Sequence, residues 1–253
     1  MFSTLDFSNS WLVAVGLNTV LLAIAFFAPK KLLTLSGYLH AWVLGVLLWV
    51  TLGWQGYAIV MFYFLVGSSL TYVRMAQKEA EGIAEARSGA RGPGNLWSSA
   101  LTGAICAVAT LFVDLPVREL LLIGFVASFS TKLSDTTATE IGKAYGKRTF
   151  LITTLKPVPR GTEGAISLEG TLAGIVASIA IAILGWGIGL IDLVGVSCCV
   201  IAAFVATAIE SLIGATIESK VSWLTHDVVN FINTAIGAIV AIAIALAWNL
   251  AQY

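Results

Sequence analysis

Val228–Leu250 reads VVNFINTAIGAIVAIAIALAWNL, 23 residues without one charged side chain. A membrane-spanning helix needs about 20 such residues, because each rises about 1.5 Å and the hydrocarbon core is about 30 Å thick. The same reading extends back along the chain. Apolar runs predict further spans at Trp11–Ala28, Tyr38–Gly53, Tyr57–Val73, Trp97–Val113, Arg118–Ser134, Leu168–Gly185 and Ile191–Ile209. Charged residues make up 11% of the 253 and hydrophobic ones 58%; a soluble domain carries roughly 25% charge. The expectation is an all-α fold: one polytopic membrane domain over residues 1–253, a bundle of about eight transmembrane helices.

Basic residues set the expected orientation, since they collect on the inner side of a membrane. With the N-terminus outside, 13 of the 14 Lys and Arg residues fall inside, in loops around Lys30, residues 74–91, residues 132–160 and Lys220. Arg118 alone falls outside, with Asp6, Asp114, Glu119 and Asp192. The zero net charge leaves no electrostatic footprint for nucleic acid. Cys106, Cys198 and Cys199 sit inside apolar runs without a CxxC partner, which excludes a zinc cluster and reads as buried packing. No basic segment precedes the first apolar run, so that run is expected to be kept as a span rather than cleaved.

Three polar segments meet the inner ends of the spans. The first closes the fifth span, from Lys132 to Arg148. On a helix, Asp135 pairs with Thr139 and Thr136 with Glu140 at i, i+4, and Lys132 lies one turn from Asp135. Carboxylates among hydroxyls suit Mg²⁺, which takes oxygen ligands and water. Gly142 and Gly146 permit close backbone approach, and Lys143 and Lys147 can bind phosphate. The plainer alternative is a Lys132–Asp135 ion pair on a helix end facing lipid headgroups.

The second segment is KPVPRGTEGAISLEGT, Lys156–Thr171. Pro157 and Pro159 rule out a continuous helix. Thr162, Gly164 and Ser167 then precede the next span, where free backbone N–H groups form an anion site; Ser167 equally suits an N-cap. The third runs from Glu210, closing the seventh span, to Asp227, Asn230 and Asn233, which share one face of the last helix. Polar groups entering a membrane prefer a protein interior or a wet cavity; N-capping by Asp227 and interhelical hydrogen bonds are the plainer account. Gly170 and Gly174, like Gly142 and Gly146, have the small-xxx-small spacing of close helix packing. No Walker loop and no GxGxxG occur. A transporter would place ionisable groups near mid-membrane at broken helices, and the outer halves of these spans hold almost none. A lipid-organising protein without catalysis is a further alternative.

The strings SDTTATEIGKAYGKRTFLITTLKPVPRGTEGAISLEGTLAG, WLTHDVVNFINTAIGA, RGPGNLWSSALTG and ESLIGATIES resemble the membrane family containing the phytyl-phosphate kinases of plants and cyanobacteria, over roughly residues 74–250. A wider likeness to phytol kinase and dolichol kinase lies in an Asp-x-x-Ala-x-x-x-Gly-x-x-x-Gly-Lys pattern, here Asp135, Ala138, Gly142, Gly146 and Lys147, without the Gly-Asp-Gly that often surrounds that aspartate. The resemblance implies a kinase that passes a nucleotide phosphoryl group to an isoprenoid lipid phosphate such as phytyl phosphate, in tocopherol synthesis; another prenyl phosphate or a prenol is the near alternative. The implied cofactors are Mg²⁺ and a nucleoside triphosphate, CTP ahead of ATP. The implied partners are the lipid phosphate, the nucleotide and the bilayer of a cyanobacterial-like plasma or thylakoid membrane, with homo-oligomerisation left open. On this reading Asp135, Glu140, Lys143 and Lys147 meet the nucleotide and metal, helped by Thr136, Thr139, Gly142 and Gly146. Lys156, Thr162, Gly164 and Ser167 meet the acceptor phosphate. Asp227, Glu210, Asn230 and Asn233 complete the pocket, the first two as metal ligands.

Overall fold

A computed structural model describes residues 7–251; Asp6, assigned above to the outer side, lies outside them. The helices are α1 (Phe7–Phe27), α2 (Leu35–Thr71), α3 (Met75–Ala80), α4 (Pro93–Ala109), α5 (Val117–Tyr145), α6 (Leu168–Gly187), α7 (Leu193–Thr216) and α8 (His226–Leu250). Five of them, α1, α2, α6, α7 and α8, are long and apolar enough to cross a membrane. Large apolar side chains such as Val176, Ile183, Ile201 and Ile239 stand exposed on α6, α7 and α8. Such faces are costly in water and suited to lipid. The chain is a helical membrane protein.

Straight, the 37 residues of α2 would extend about 55 Å. The helix instead breaks at Gly53, whose φ of 65° and ψ of −157° belong to a region open only to glycine. Two contacts show that its arms, residues 35–52 and 54–71, fold back on each other. The Trp49 and Tyr57 rings meet with centroids 5.3 Å apart, where eight residues of unbroken helix would separate them by about 12 Å. The Tyr72 hydroxyl donates to the Lys31 carbonyl at 3.3 Å, returning the chain to where α2 began. The two arms match the second and third apolar runs.

The central helix is α5, packed against α2, α4, α6, α7 and α8. Its Phe125, Phe129 and Leu133 are fully buried. Glycines set its closest crossing: a Cβ at Gly170 would lie 2.5 Å from the Ala138 carbonyl oxygen, and one at Gly174 would lie 2.9 Å from that of Ser134. Gly170 and Gly174 thus serve close packing, as their spacing predicts. Cys106, Cys198 and Cys199 are buried free thiols.

The loops gather at one end of the bundle. Arg91 bridges by backbone to the loop before α2, donating to Leu32 at 2.9 Å and accepting from Thr34 at 3.0 Å. The Arg74 guanidinium reaches the Ala144 carbonyl at 3.1 Å. Arg160 pairs with Glu81 at 2.7 Å. The loops holding most basic residues therefore share one end, and α5 carries Arg118 at the other. Two local features shape these loops. Helix α3 stops at Ala80, because Gly82 takes positive φ, as do Arg87 and Ser88 beyond it. The segment after α5 forms a two-stranded antiparallel hairpin, β1 (Thr149–Leu151) and β2 (Ala165–Ser167), with Phe150 opposite Ile166. Pro157 and Pro159 lie in its connection, where no helix is needed.

Candidate active site

Beneath these loops lies a cavity of about 510 Å³. Its floor is a buried polar group on α5 and α8. The Lys132 ammonium donates to Asp135 Oδ2 at 2.7 Å and to Asn230 Oδ1. Lys132, Asp135 and Asn230 are 5%, 6% and 1% exposed. An ammonium has three N–H donors, so one is left for an acceptor in the cavity. The Asn230 amide nitrogen also has no protein partner.

Of the cations beyond Lys132, Arg91 lines the cavity, and Lys78 is buried against the lining residue Glu140. The Arg91 guanidinium donates to the Tyr63 hydroxyl and lies 5.0 Å from the Tyr63 ring centroid, a cation–π arrangement. Lys78 of α3 is 1% exposed; it donates to Glu140 and, at 2.7 Å, to the Thr71 carbonyl. The roof is the loop 161–164. Gly164 takes a φ of +72°, and a Cβ there would lie 2.6 Å from the Ser211 carbonyl oxygen of α7, so only glycine permits the loop to press so closely. Beside it, partial burial raises the pKa of Glu218, and the like charge of Glu163 adds to the rise. His226, with Nδ1 3.6 Å away, opposes both.

Eleven sequence-predicted residues line this one cavity: Asp135, Thr136, Thr139, Glu140, Gly142, Lys143, Thr162, Gly164, Ser167, Glu210 and Asn230. Ser167 is also the N-cap of α6, accepting from the Gly170 N–H at 3.1 Å. Lys132 and Asp135 thus form their ion pair, and Ser167 its N-cap, while lining the cavity. Five predicted residues are not brought in. Lys156 is exposed on the hairpin connection, and Lys147 is exposed beyond the α5 C-cap. Gly146 is that cap, held by packing: a Cβ would lie 2.5 Å from the Gly142 carbonyl oxygen. Asn233 is buried one turn deeper than Asn230, and neither of its side-chain polar atoms has a protein partner. Asp227 faces the start of α4, accepting from the Ser98 hydroxyl at 3.4 Å, and the N-cap of α8 is Thr225.

Sequence reasoning passed over Lys78, Arg91, Tyr63 and Asn95. Arg91 and Asn95 stand inside the RGPGN string, a signal in plain view; Lys78 and Tyr63 carry none, because only the folding back of α2 and α3 brings them here. Among the described residues, no three His, Cys, Asp or Glu side chains converge as a metal site. Glu140 is committed to Lys78, and Asp227 lies elsewhere. Of the predicted metal ligands, Asp135 and Glu210 remain in the cavity lining, which also holds Glu85 and Glu163.

Comparison with known proteins places these features in a family. Over 234 residues the chain is 62% identical to an uncharacterized membrane protein of Synechocystis sp., covering 92% of this chain and 91% of that one. It is 45% identical over 239 residues to protein VTE6, chloroplastic, of Arabidopsis thaliana, covering 93% of this chain and 72% of the relative. An uncharacterized membrane protein of Methanocaldococcus jannaschii is 28% identical over 209 residues, 83% of this chain and 84% of the relative. No solved structure matches the chain. The integral membrane family designated DUF92 matches residues 18–238, and with relatives covered over most of their length, the chain belongs to that family.

Proposed function

We propose that the protein is a membrane kinase that transfers the terminal phosphoryl group of a nucleoside triphosphate to an isoprenoid lipid monophosphate such as phytyl phosphate, giving the diphosphate. The observation that carries this reading is the Lys132–Asp135–Asn230 group, buried at the floor of a cavity roofed by polar loops and walled by membrane helices. The relation to a chloroplast protein at 45% identity and the resemblance to the phytyl-phosphate kinases support the same substrate class. Eight spans with both termini outside complete the proposal, which puts the cavity on the cytoplasmic or stromal side.

Phosphoryl transfer asks little covalent chemistry of a protein; it asks for positioning and for charge stabilisation. Here Lys132 is held by two acceptors, so it meets an incoming phosphate without rearranging. Arg91, stacked on Tyr63, offers a planar fork suited to phosphate oxygens. The hydroxyls of Thr136 and Thr162 add donors at the rim. An acceptor monophosphate is anionic at neutral pH, so its oxygen attacks without a strong general base. Mg²⁺ commonly binds through one or two carboxylates together with substrate phosphates and water, and Asp135 and Glu210 offer that donor set. Held there, it would supply neutralisation of charge on the substrate phosphates. The test is incubation of the purified protein in lipid nanodiscs with Mg²⁺, CTP or ATP, and a panel of prenyl monophosphates, with mass spectrometry of the products. A prenyl diphosphate is expected; no diphosphate with any donor overturns the reading.

A further inference from the structure

The cavity is not walled equally on its sides. Between α5 and α6 the backbones touch at Gly170 and Gly174, where even a Cβ would clash with carbonyl oxygens of α5. Nothing of lipid width passes there. Between α6 and α7 the lining changes character. Thr171 and Ile175 of α6 and Phe204, Thr207 and Ala208 of α7 all line the same cavity as Lys132 and Asp135. Phe204 is also 51% exposed, and both helices are long and apolar enough to cross a membrane, with hydrocarbon around them. Phe204 is six residues from Glu210, about 9 Å up the helix axis, and Ile175 is seven from Leu168, about 10 Å. One space thus joins a charged floor at the membrane boundary to a window onto the lipid interior.

We infer that the isoprenoid tail of the acceptor lipid lies in the crevice between α6 and α7, reaching the cavity sideways from the bilayer, with Ile175 and Phe204 setting which tails fit. The inference rests on the reading of the acceptor as a lipid phosphate, and charge complementarity selects that occupant. A molecule that fills the space needs an anionic head for Lys132 and Arg91 and an unbranched or methyl-branched chain for the window. A water-soluble phosphate leaves the window bare, and a neutral lipid leaves the cations without an acceptor.

The test places p-benzoylphenylalanine at Phe204, and in a second protein at Val176. Val176 is 66% exposed on α6 and is not among the cavity-lining residues. Each protein, in nanodiscs, is irradiated with radiolabelled geranylgeranyl monophosphate, with and without unlabelled competitor. Crosslinking at position 204 that exceeds that at 176 by about tenfold and is abolished by unlabelled monophosphate, but not by geranylgeraniol, is expected. Equal labelling at both positions, or labelling that competitor does not reduce, overturns the inference, since bulk lipid then reaches both alike. A Phe204→Ala variant gives a second readout: KM for the lipid rises about tenfold, as loss of one large apolar contact predicts, while KM for the nucleotide stays unchanged. Turnover by the parent protein, measured in the same nanodiscs, keeps the two readings apart. Specific labelling without turnover removes the kinase reading and leaves the tail site; turnover with unspecific labelling does the reverse.

Discussion

Asp135→Asn is the obvious probe of the cavity floor, and the structure makes it a double perturbation. Asp135 is the charged partner of Lys132, and both are buried. Removing one partner of a buried pair leaves an uncompensated charge and costs about 3–5 kcal/mol. Asp135→Asn alone is therefore expected to lose stability by about that amount as well as turnover. Pairing Lys132→Met with Asp135→Leu removes both charges, and apolar replacement of a whole buried pair is often neutral or stabilising. Here it also strips Asn230 Oδ1 of its donor, a buried polar group left unmade, which costs about 1–3 kcal/mol. The double variant should thus recover most of what Asp135→Asn loses without reaching the parent. Turnover should fall by about 10²–10³ in both, the usual effect of removing one preorganised electrostatic group. Unfolding by SDS from mixed micelles reads the first quantity, and product formation in nanodiscs reads the second. A double variant that turns over like the parent would refute the reasoning, for the pair would then be structural alone.

Other expectations follow from the same geometry. Arg91→Lys keeps the charge but loses the planar fork over Tyr63, so turnover should drop about tenfold or more, whereas Lys147→Ala and Lys156→Ala, exposed and off the cavity, should change it less than about twofold. Equal losses in all three would move the phosphate site out to the hairpin. Glu140→Gln leaves Lys78 buried without its counter-charge, so hydrogen exchange in α3 and the following loop should quicken while α7 and α8 keep their protection. Glu218 has a raised pKa in the folded state, so its ionised form is disfavoured by folding. Glu218→Gln should accordingly stabilise the protein at neutral pH, and that gain should fade as pH falls below the ordinary carboxylate range, which thermal unfolding against pH would reveal. Finally, a cysteine at Lys156, exposed on the hairpin connection, should react with an impermeant maleimide only from the cytoplasmic side of oriented vesicles, and labelling from the other side would reverse the topology.

Much of the bundle was legible because membrane insertion writes itself as uninterrupted apolar length. The long helices fall close to their apolar runs, and Gly170 and Gly174 pack as their spacing implies. Less was legible in the loops. The stop of α3 at Ala80 depends on left-handed backbone at Gly82, which Arg87 and Ser88 beyond it share, and only Gly82 announces that by residue type. Strands β1 and β2 have three residues each, too short for any alternation to register. Along α5, i, i+4 spacing around Asp135 picks out Thr136, Thr139 and Glu140, which line the cavity with it. The partners that fix them, Lys78 with Glu140 and Asn230 with Lys132, lie 62 and 98 positions away. Spacing along one helix cannot see across a bundle. Lys147 and Lys156 lie off the cavity for the opposite reason: proximity in sequence does not survive a helix cap and a hairpin.

The position of Lys132 carries a constraint of its own. A cation held inside a membrane protein is costly unless paired, and Asp135 supplies the pair. Were neutralisation the only requirement, one carboxylate would serve, and Asn230 would add nothing. Asn230 contributes a neutral acceptor that fixes the ammonium's direction without cancelling more of its charge. It also brings an amide nitrogen that no protein group accepts from. In a floor built this way Lys132 offers a held, charged donor toward the cavity, with the Asn230 amide nitrogen buried beside it. Two polyanions brought together in that space repel each other, and fixed donors offset that repulsion without reorganising as charge shifts. This division, with Asp135 permitting the charge and Asn230 aiming it, predicts unequal substitutions. Asn230→Asp should add a second negative charge beside Asp135, draw Lys132 away from any phosphate and depress turnover more than Asn230→Ala, although it alters the shape of the side chain less. Turnover of the two variants, compared in the same nanodiscs with folding checked by gel filtration, decides it: a more active aspartate variant would mean that Asn230 serves packing, and that Lys132 needs no aim.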